Sequence, residues 1–158
     1  MSARLRNPPA APSLRPATAM PATITLRSAT ADDLPPLRAL WERCGLHPSR
    51  SDTDERLARL IEFCGGLFVV AECRGAVVGS VMASWDGRRG WINRLAVDPS
   101  ARGARLGDRL MAEAERRLAA IGCDKVNLLI EPDNAGVRRF YERLGYAADE
   151  LIFMEKWL

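Results

Sequence analysis

The chain has 158 residues, 47% of them hydrophobic and 27% charged, with a formal net charge of +3. This length fits one domain with a single core, and the composition is that of an ordinary soluble protein. Three of the 23 basic residues lie among the first 22 positions, which hold no acid, so residues 23–158 carry 20 basic and 20 acidic groups. A nucleic-acid-binding domain usually has a basic surplus, so this balance argues against that class.

The first 22 residues, MSARLRNPPAAPSLRPATAMPA, hold five of the ten prolines. They contain no apolar run long enough for a signal-peptide core or a membrane span, and we expect no membrane association. We interpret them as a disordered arm. Their arginines and missing acids resemble a transit peptide, but the prolines would break the helix that such a peptide needs. Met20 is an alternative start.

The cysteine and histidine content argues against a metal site. Cys44, Cys64, Cys73 and Cys123 form no closely spaced pair, and His47 is the single histidine. This spacing favours reduced thiols and predicts a cytoplasmic protein without a bound metal. A catalytic triad or a Cys-His pair would have to use His47, which lies in a proline-containing loop, so nucleophilic catalysis of that kind is disfavoured.

We place a single domain at residues 23–158. The sequence of its first part predicts one strand and two helices. Residues 24–28 alternate as in a strand, and Thr30 with Asp33 forms a capping-box-like helix start. A second helix is expected from about Asp52 to the Gly65-Gly66 stop. The apolar faces of the two helices are Leu34, Leu37, Leu40 and Trp41, and Leu57, Leu60, Ile61 and Cys64.

The second part predicts an antiparallel meander followed by a crossover. Three strands between residues 67 and 97 are separated by turn signals at Arg74-Gly75 and Asp86-Gly87. A helix over 106–121 and a strand in KVNLLI then imply parallel pairing. A helix capped by Asp133 and ended by Gly145, and a last strand through residues 151–157, complete an α/β (α+β) fold.

A short basic segment, ARGARLG at residues 101–107, joins a predicted strand to the following helix. A helix N-terminus presents unpaired backbone N–H groups, and its dipole favours anions. Gly103 and Gly107 allow a close backbone approach, while Arg102 and Arg105 add positive charge. The local pattern fits a phosphate-binding loop and a solvated basic turn equally well. The chain has no Walker, GxGxxG or GxSxG motif.

Two longer stretches, INRLAVDPSARGARLGDRLMAEAERRL and NLLIEPDNAGVRRFYERLGY, resemble the GCN5-related N-acetyltransferase (GNAT) family. The segments LWERCGL, FVVAECRGAVVGSVMASWDGRRG and FYERLGY resemble its YpeA-like branch. The family's phosphate motif, R/Q-x-x-G-x-G/A, corresponds to residues 102–107, with Arg105 in place of the middle glycine. Over about residues 23–158, the resemblance implies a mixed, mostly antiparallel sheet with helices on both faces, and acetyl-CoA as cosubstrate.

The same resemblance implies roles for individual residues. Tyr141 would protonate the leaving thiolate, and Asn134 would lie beside the pantetheine arm. The backbone at residues 95–97 would pair with pantetheine and polarise the thioester carbonyl. The alternative for Tyr141 and for these strand residues is a purely structural place in the core. The residues implied to bind the cosubstrate are Leu95, Ala96, Val97, Arg102, Gly103, Ala104, Arg105, Leu106, Gly107 and Asn134.

The general base is the least constrained part of the expected site. An amine with a pKa near 10.4 is neutral in only about one molecule in 10³ at pH 7, so a base is needed. Some relatives place a glutamate on the strand before the loop, where this chain has Trp91, Asn93 and Arg94. Glu131, at the end of the next strand, is the nearest carboxylate and our candidate base. Its alternative is an ordinary loop acid.

These features predict an acetyl-CoA-dependent N-acetyltransferase that acts by direct attack of a primary amine on the thioester. The amine belongs to a small molecule or to a protein N-terminus or lysine. The alternatives are a non-catalytic acyl-CoA-binding sensor on the same fold and a nucleic-acid adaptor that uses the basic arm. We expect the acceptor to be bounded by residues 45–52 and by the loop joining the last two strands. We expect no nucleic-acid partner, and a monomer and a homodimer remain open.

Overall fold

The computed structural model describes residues 23–157 as a mixed sheet between two layers of helices. Its strands are β1 (Ile24–Ser28), β2 (Phe68–Cys73), β3 (Ala76–Trp85), β4 (Gly90–Val97) and β5 (Val126–Leu128). Its helices are α1 (Leu34–Arg43), α2 (Asp54–Phe63), α3 (Leu106–Ala120) and α4 (Arg138–Arg143). Short 3-10 segments at Ala31–Asp33, Pro99–Ala101 and Pro132–Val137 precede α1, α3 and α4. The predicted arm, residues 1–22, lies outside the described residues.

The strands form one sheet in the order β1-β2-β3-β4-β5. The pairs β1-β2, β2-β3 and β3-β4 are antiparallel, and the predicted turns at Arg74-Gly75 and Asp86-Gly87 connect the central three strands. α3 then carries the chain to β5, which runs parallel to β4. The predicted meander and parallel crossover are therefore both confirmed.

Helices cover both faces of the sheet because the side chains of each strand alternate between the faces. In β2, Val69 and Ala71 join one core cluster, whereas Phe68 and Val70 join the other. α3 covers the first face with the buried side chains of Leu106, Leu110, Met111, Ala114 and Leu118. α1 and α2 cover the second face with Leu34, Leu37, Leu40, Trp41 and Leu57. Within residues 23–157, every helix is too short or too polar to cross a membrane.

Most predicted helix ends agree with the structure to within two residues, but the start of α4 does not. The Asp33 carboxylate accepts a hydrogen bond from the Thr30 backbone N–H at 2.8 Å, as in a capping box, although a 3-10 turn precedes α1. α4 begins at Arg138, with Val137 at the N-cap, so the predicted start at Asp133 is wrong. The intervening residues form a 3-10 segment in which Asn134 has non-helical backbone angles.

The predicted last strand, residues 151–157, is absent from the sheet. The segment has no regular secondary structure, and its large apolar side chains are exposed on both sides, as for Leu151, Ile152 and Met154. A strand needs a hydrogen-bonded neighbour, and β5, only three residues long, is paired with β4 alone among the described strands. The predicted boundary of the acceptor site at a loop between the last two strands therefore does not exist either.

Candidate active site

The C-terminal half of β4 has an open edge. β5 pairs only with Gly90–Ile92, so on that side residues 93–97 have no neighbouring strand in the described part of the chain. On the other side a bulge interrupts pairing with β3, where Val81 faces both Arg94 and Leu95. A β-bulge leaves one residue without a partner in the hydrogen-bonded strand pair and changes the direction of its backbone N–H and C=O groups. β4 therefore offers free backbone donors and acceptors where it enters the basic loop.

The three strand residues predicted to bind the cosubstrate place their side chains in the core. Ala96 is buried in the cluster beneath α1 and α2, whereas Leu95 and Val97 pack against the opposite cluster beneath α3. Their side chains thus fill the structural role that the sequence left as the alternative. Their backbone, which lies along the open edge, is the part that remains available to a ligand.

The basic loop begins with a fixed turn at Asp98. Its carboxylate accepts hydrogen bonds from the Ser100 hydroxyl at 2.6 Å and the Ser100 backbone N–H at 2.9 Å, and it forms an ion pair with Arg43 at 2.8 Å. These contacts, led by the Ser100 hydroxyl, lower the pKa of Asp98 from 3.8 to about 2. Asp98 is thus ionised throughout the neutral range and holds the loop at the end of β4.

The loop from Gly103 into α3 has a run of free backbone donors. The N–H groups of residues 103–108 donate to no backbone carbonyl of residues 23–157, as expected before and within the first helical turn. Gly103 (φ +89°) and Arg105 (φ +52°) curve the chain so that these donors sit at the N-terminus of α3. Residues 102–105 are exposed, whereas Leu106 is buried in the core. This arrangement can accept an anion.

The backbone conformation of Arg105 shows why glycine is preferred at the middle position of the GNAT motif. Its backbone is left-handed, with φ +52° and ψ 29°, a conformation that glycine adopts without strain. Its side chain is 81% exposed and forms a 3.5 Å ion pair with Asp108. Asp108 is also bonded to Arg143, and the two arginines, Arg143 first, lower the pKa of its carboxyl. The negative charge of Asp108, the one acidic residue in the first turn of α3, is therefore balanced by two arginines.

Gly107 brings α4 against the loop. A Cβ atom at this position would lie 3.3 Å from the ring of Phe140 and 3.9 Å from Cγ2 of Val97. The motif glycine therefore provides space for an aromatic ring from α4, in addition to any close approach of a ligand. Phe140 therefore lies where three elements come together, namely the end of β4, the start of α3, and α4 itself.

Tyr141 follows Phe140 and is half-buried against the α3-side core. Its ring meets those of Phe140 and Tyr146 edge to face, with centroids 5.1 and 5.8 Å away. Burial raises the pKa of Tyr141 above 10.0, so its phenol is protonated at neutral pH. Tyr146 uses its hydroxyl in a 2.8 Å hydrogen bond to Glu115, while the Tyr141 hydroxyl has no such partner among residues 23–157. Of these two tyrosines, Tyr141 is thus the one whose hydroxyl is not engaged by another described residue.

Asn134 and Glu131 lie in the connection between β5 and α4. Both are exposed, and the Glu131 carbonyl accepts a 2.9 Å hydrogen bond from the Asn134 backbone N–H. The side chain of Glu131 forms no hydrogen bond or ion pair with any other predicted site residue among those described. The structure therefore brings together the loop, β4 and α4, but it does not connect the candidate base to them. Residues 23–157 also contain no cluster of three or more metal-ligating side chains.

Comparisons with known proteins agree with this geometry. A family model described as the Acetyltransferase (GNAT) family matches residues 31–146. An acetyltransferase of Pectobacterium atrosepticum is 38% identical over 127 residues, which cover 80% of this chain and 90% of the relative. An acetyltransferase of Sodalis glossinidius is 37% identical over 123 residues, with coverages of 78% and 87%. The chain belongs to the GNAT acetyltransferase family.

The GNAT fold is also seen in a solved structure with bound coenzyme A. The PaiA N-acetyltransferase of Thermoplasma acidophilum superposes with a TM-score of 0.74 at 18% identity, covering 82% of this chain and 93% of that one. Membership of the GNAT family makes the protein an N-acetyltransferase whose cosubstrate is acetyl-CoA.

One group of residues in this GNAT domain was missed from the sequence. Arg94, at the β4 bulge, stacks over Trp41 and forms an ion pair with Asp52 of the α1–α2 connection. Ser80 of β3 is fully buried and links Trp41 to the Arg94 backbone. The available signal was Ser80 itself, a polar residue inside the apolar run VVGSVM, because a buried hydroxyl requires a partner.

Proposed function

We propose that the protein transfers the acetyl group of acetyl-CoA to a primary amine by direct attack of the amine on the thioester. The amine belongs to a small molecule or to a protein N-terminus or lysine. The observation that carries the proposal is the presence of free backbone groups at two neighbouring places, the open edge of β4 and the loop at residues 103–108. The helix that contains Tyr141 packs on this same loop through Phe140.

In this proposal the basic loop holds the pyrophosphate of the cosubstrate. The N–H groups of Gly103, Ala104, Arg105, Leu106 and Gly107 supply the donors, and the α3 dipole favours the negative charge. The guanidinium groups of Arg102 and Arg105 add long-range attraction. The placement of Arg105 is compatible with this role because the donors belong to the backbone and its side chain points into solvent.

The acetyl end of the cosubstrate is assigned to β4. Backbone groups of Leu95, Ala96 and Val97 would pair with pantetheine, and Asn134 would lie beside the pantetheine arm. A backbone N–H at the bulge would stabilise negative charge on the thioester oxygen as the amine attacks, a contribution that is typically 2.7–4 kcal/mol for one such donor. Acetyl-CoA itself supplies the activated acyl group.

Tyr141 is the proposed proton donor to the leaving thiolate. With ordinary values of about 10 for a phenol and 8.5 for a thiol, this transfer is uphill by roughly 2 kcal/mol. Burial raises the pKa of Tyr141 and widens this gap. Desolvation of the bound thiolate would narrow the gap again, because desolvation disfavours the anion and raises the pKa of the thiol.

Glu131 is the proposed base for the amine. Its position after β5 places it on the side of β4 that has the open edge, and its exposure leaves it accessible to an incoming substrate. Glu131→Gln is expected to lower the rate most near neutral pH, where the amine is protonated. A pH–rate profile identical to that of the unaltered protein would remove Glu131 from this role.

The proposal is tested by a panel of amines with two readouts, thiol release from acetyl-CoA and the thermal shift caused by acetyl-CoA alone. Acetyl-CoA at 100 times its dissociation constant should add about 2.7 kcal/mol of stability. One or more amines should release thiol in step with amine acetylation. Binding without turnover of any amine would favour the sensor alternative, and an absent shift at millimolar acetyl-CoA would contradict the proposal. The balanced charge of residues 23–158 supports an acceptor other than nucleic acid.

A further inference from the structure

Arg94 combines an unusual backbone conformation with a side chain that is only 14% exposed and is held by several contacts. It lies in the middle of β4 with φ +52°, at the bulge where two residues of β4 face Val81 of β3. A left-handed residue that is not glycine is strained and persists only where its surroundings hold it. Contacts of both the backbone and the side chain hold Arg94 in this conformation.

The backbone of Arg94 is fixed by a buried hydroxyl. Ser80, on the neighbouring strand β3, donates a 3.0 Å hydrogen bond to the Arg94 carbonyl and accepts one of 3.0 Å from Trp41 Nε1. Ser80 is fully buried and Trp41 nearly so. The bulge is thus connected to α1 on the face of the sheet covered by α1 and α2.

The side chain of Arg94 reaches the connection between α1 and α2. Its guanidinium stacks over the Trp41 ring, 5.0 Å from the centroid, and donates a 3.0 Å hydrogen bond to the His47 carbonyl. It also forms an ion pair with Asp52, in which the side chains of Arg94 and Asp52 are only 14% and 12% exposed. Backbone and side chain of one residue therefore join the bulge to both ends of residues 47–52.

We propose that Arg94 is a positioning residue that couples residues 46–53 to the β4 bulge, so that ordering of this connection sets the geometry of the backbone groups at Leu95. This inference rests on the proposed function, in which the bulge polarises the thioester, and on the expectation from the sequence that residues 45–52 border the acceptor. A bound acceptor would then align the acyl-binding backbone through Asp52 and Arg94.

Arg94 is assigned to positioning because its charge is already used inside the protein. The guanidinium faces one carboxylate, one carbonyl and one aromatic ring, and little of it is exposed. A substrate carboxylate would have to displace Asp52, whose side chain is itself only 12% exposed. Asp52 in turn accepts a 2.7 Å hydrogen bond from the Ser49 backbone N–H, so it also shapes the connection itself.

The test compares Asp52→Asn with a matched control, Asp54→Asn. Asp54 lies two residues away and also pairs with an arginine, Arg38 at 2.6 Å, but it is 74% exposed and does not touch Arg94. Hydrogen exchange is measured on the full chain in peptides spanning residues 46–53 and 92–97. Asp52→Asn should accelerate exchange about tenfold in both peptides, and Asp54→Asn should leave the β4 peptide unchanged. Acceleration confined to residues 46–53, or an equal effect of Asp54→Asn on β4, overturns the proposal.

A second variant keeps the test decisive if Asp52→Asn unfolds globally. Arg94→Lys retains a cation for Asp52 but loses the planar fork that also reaches the His47 carbonyl. It should produce a smaller acceleration in the same two peptides, and an unchanged β4 peptide overturns the coupling.

Turnover gives an independent readout. With an amine found for the unaltered protein, Asp52→Asn should lower kcat about tenfold while the Kd of coenzyme A changes less than about twofold. An unchanged kcat overturns the catalytic part of the proposal. If the unaltered protein acetylates no amine, the proposed function fails, but the exchange data still decide whether the bulge and residues 46–53 are coupled.

Discussion

Arg105 shows how a departure from a motif is resolved at the level of one residue. The motif requires a left-handed backbone at this position and, through the next residues, a row of free N–H groups. Arginine meets both requirements, because its backbone takes the left-handed form and its side chain is in solvent. The cost is conformational, about 1–2 kcal/mol for an L-residue in this region.

Arg105→Gly is therefore expected to leave stability unchanged or raise it by up to about 1 kcal/mol. Glycine removes the backbone strain but adds entropy to the unfolded chain, and the lost ion pair with Asp108 is highly exposed. Urea unfolding measures the change. Arg74→Gly is the matched control, because Arg74 has the same φ of +52° in the β2–β3 turn, away from the loop.

Both glycine variants should behave alike in stability, and Arg105→Gly should still bind coenzyme A because the backbone donors remain. A loss of more than about 1 kcal/mol on Arg105→Gly alone would show that the arginine side chain, through Asp108, holds the loop together.

At the scale of elements, α4 is positioned by its contact with the start of α3. Phe140 fills the space above Gly107 and approaches Val97, while Arg143 of the same helix pairs with Asp108 of α3. α4 has only six residues, too few to be stable alone, so this packing determines where Tyr141 lies.

Gly107→Val should consequently destabilise the protein by about 1–3 kcal/mol, because the added side chain overlaps the Phe140 ring and forces α4 away. Turnover should fall more than stability alone explains, since Tyr141 moves with the helix. Gly136→Val is the control, because a Cβ there meets nothing within 4 Å.

Equal effects of the two valine substitutions on stability and turnover would contradict the packing role of Gly107. The comparison is made by chemical denaturation together with the initial rate of thiol release.

The sequence predicted correctly the elements whose apolar residues recur at regular spacing. It failed for elements whose formation depends on contacts with other segments of the chain. The five buried residues of α3 recur at helical spacing, so its bounds were predicted to within one residue. Residues 151–154 form a run of apolar side chains in the sequence, but such a run becomes a strand only where a neighbouring strand pairs with it, and no described strand pairs with these residues. The late start of α4 similarly depends on the 3-10 segment before it.

The residues of the candidate site also fall into two groups, those predicted from short motifs and those that only tertiary contacts bring together. The loop at residues 102–107 and Tyr141 were predicted through short motifs, which local spacing preserves. The Arg94, Ser80 and Trp41 contacts join residues from three elements, and the sequence signals them only through Ser80, a polar residue in an apolar run. Sequence also assigned to Gly107 only the approach of a ligand, because the position of Phe140 against it is a tertiary contact.

At the scale of the whole molecule, our proposal places the two substrates on opposite sides of the sheet. α3, α4 and the basic loop lie on the side that receives the cosubstrate in our proposal. α1, α2 and their connection lie on the other face, bordering the acceptor and linked to β4 through Arg94. The bulge at Arg94 and Leu95 is the place where the two sides meet, which fits a reaction in which the amine attacks the acyl group directly.

The most direct measurement of the central claim is turnover by Tyr141→Phe beside Tyr146→Phe, the matched control. Tyr146 is the neighbouring tyrosine, its ring 5.8 Å from that of Tyr141, but its hydroxyl is bonded to Glu115. Tyr141→Phe should lower kcat by about 10²–10⁴-fold with coenzyme A binding intact, whereas Tyr146→Phe should keep kcat within about tenfold. Full turnover by Tyr141→Phe would contradict the assignment of this residue as the acid in acetyl transfer.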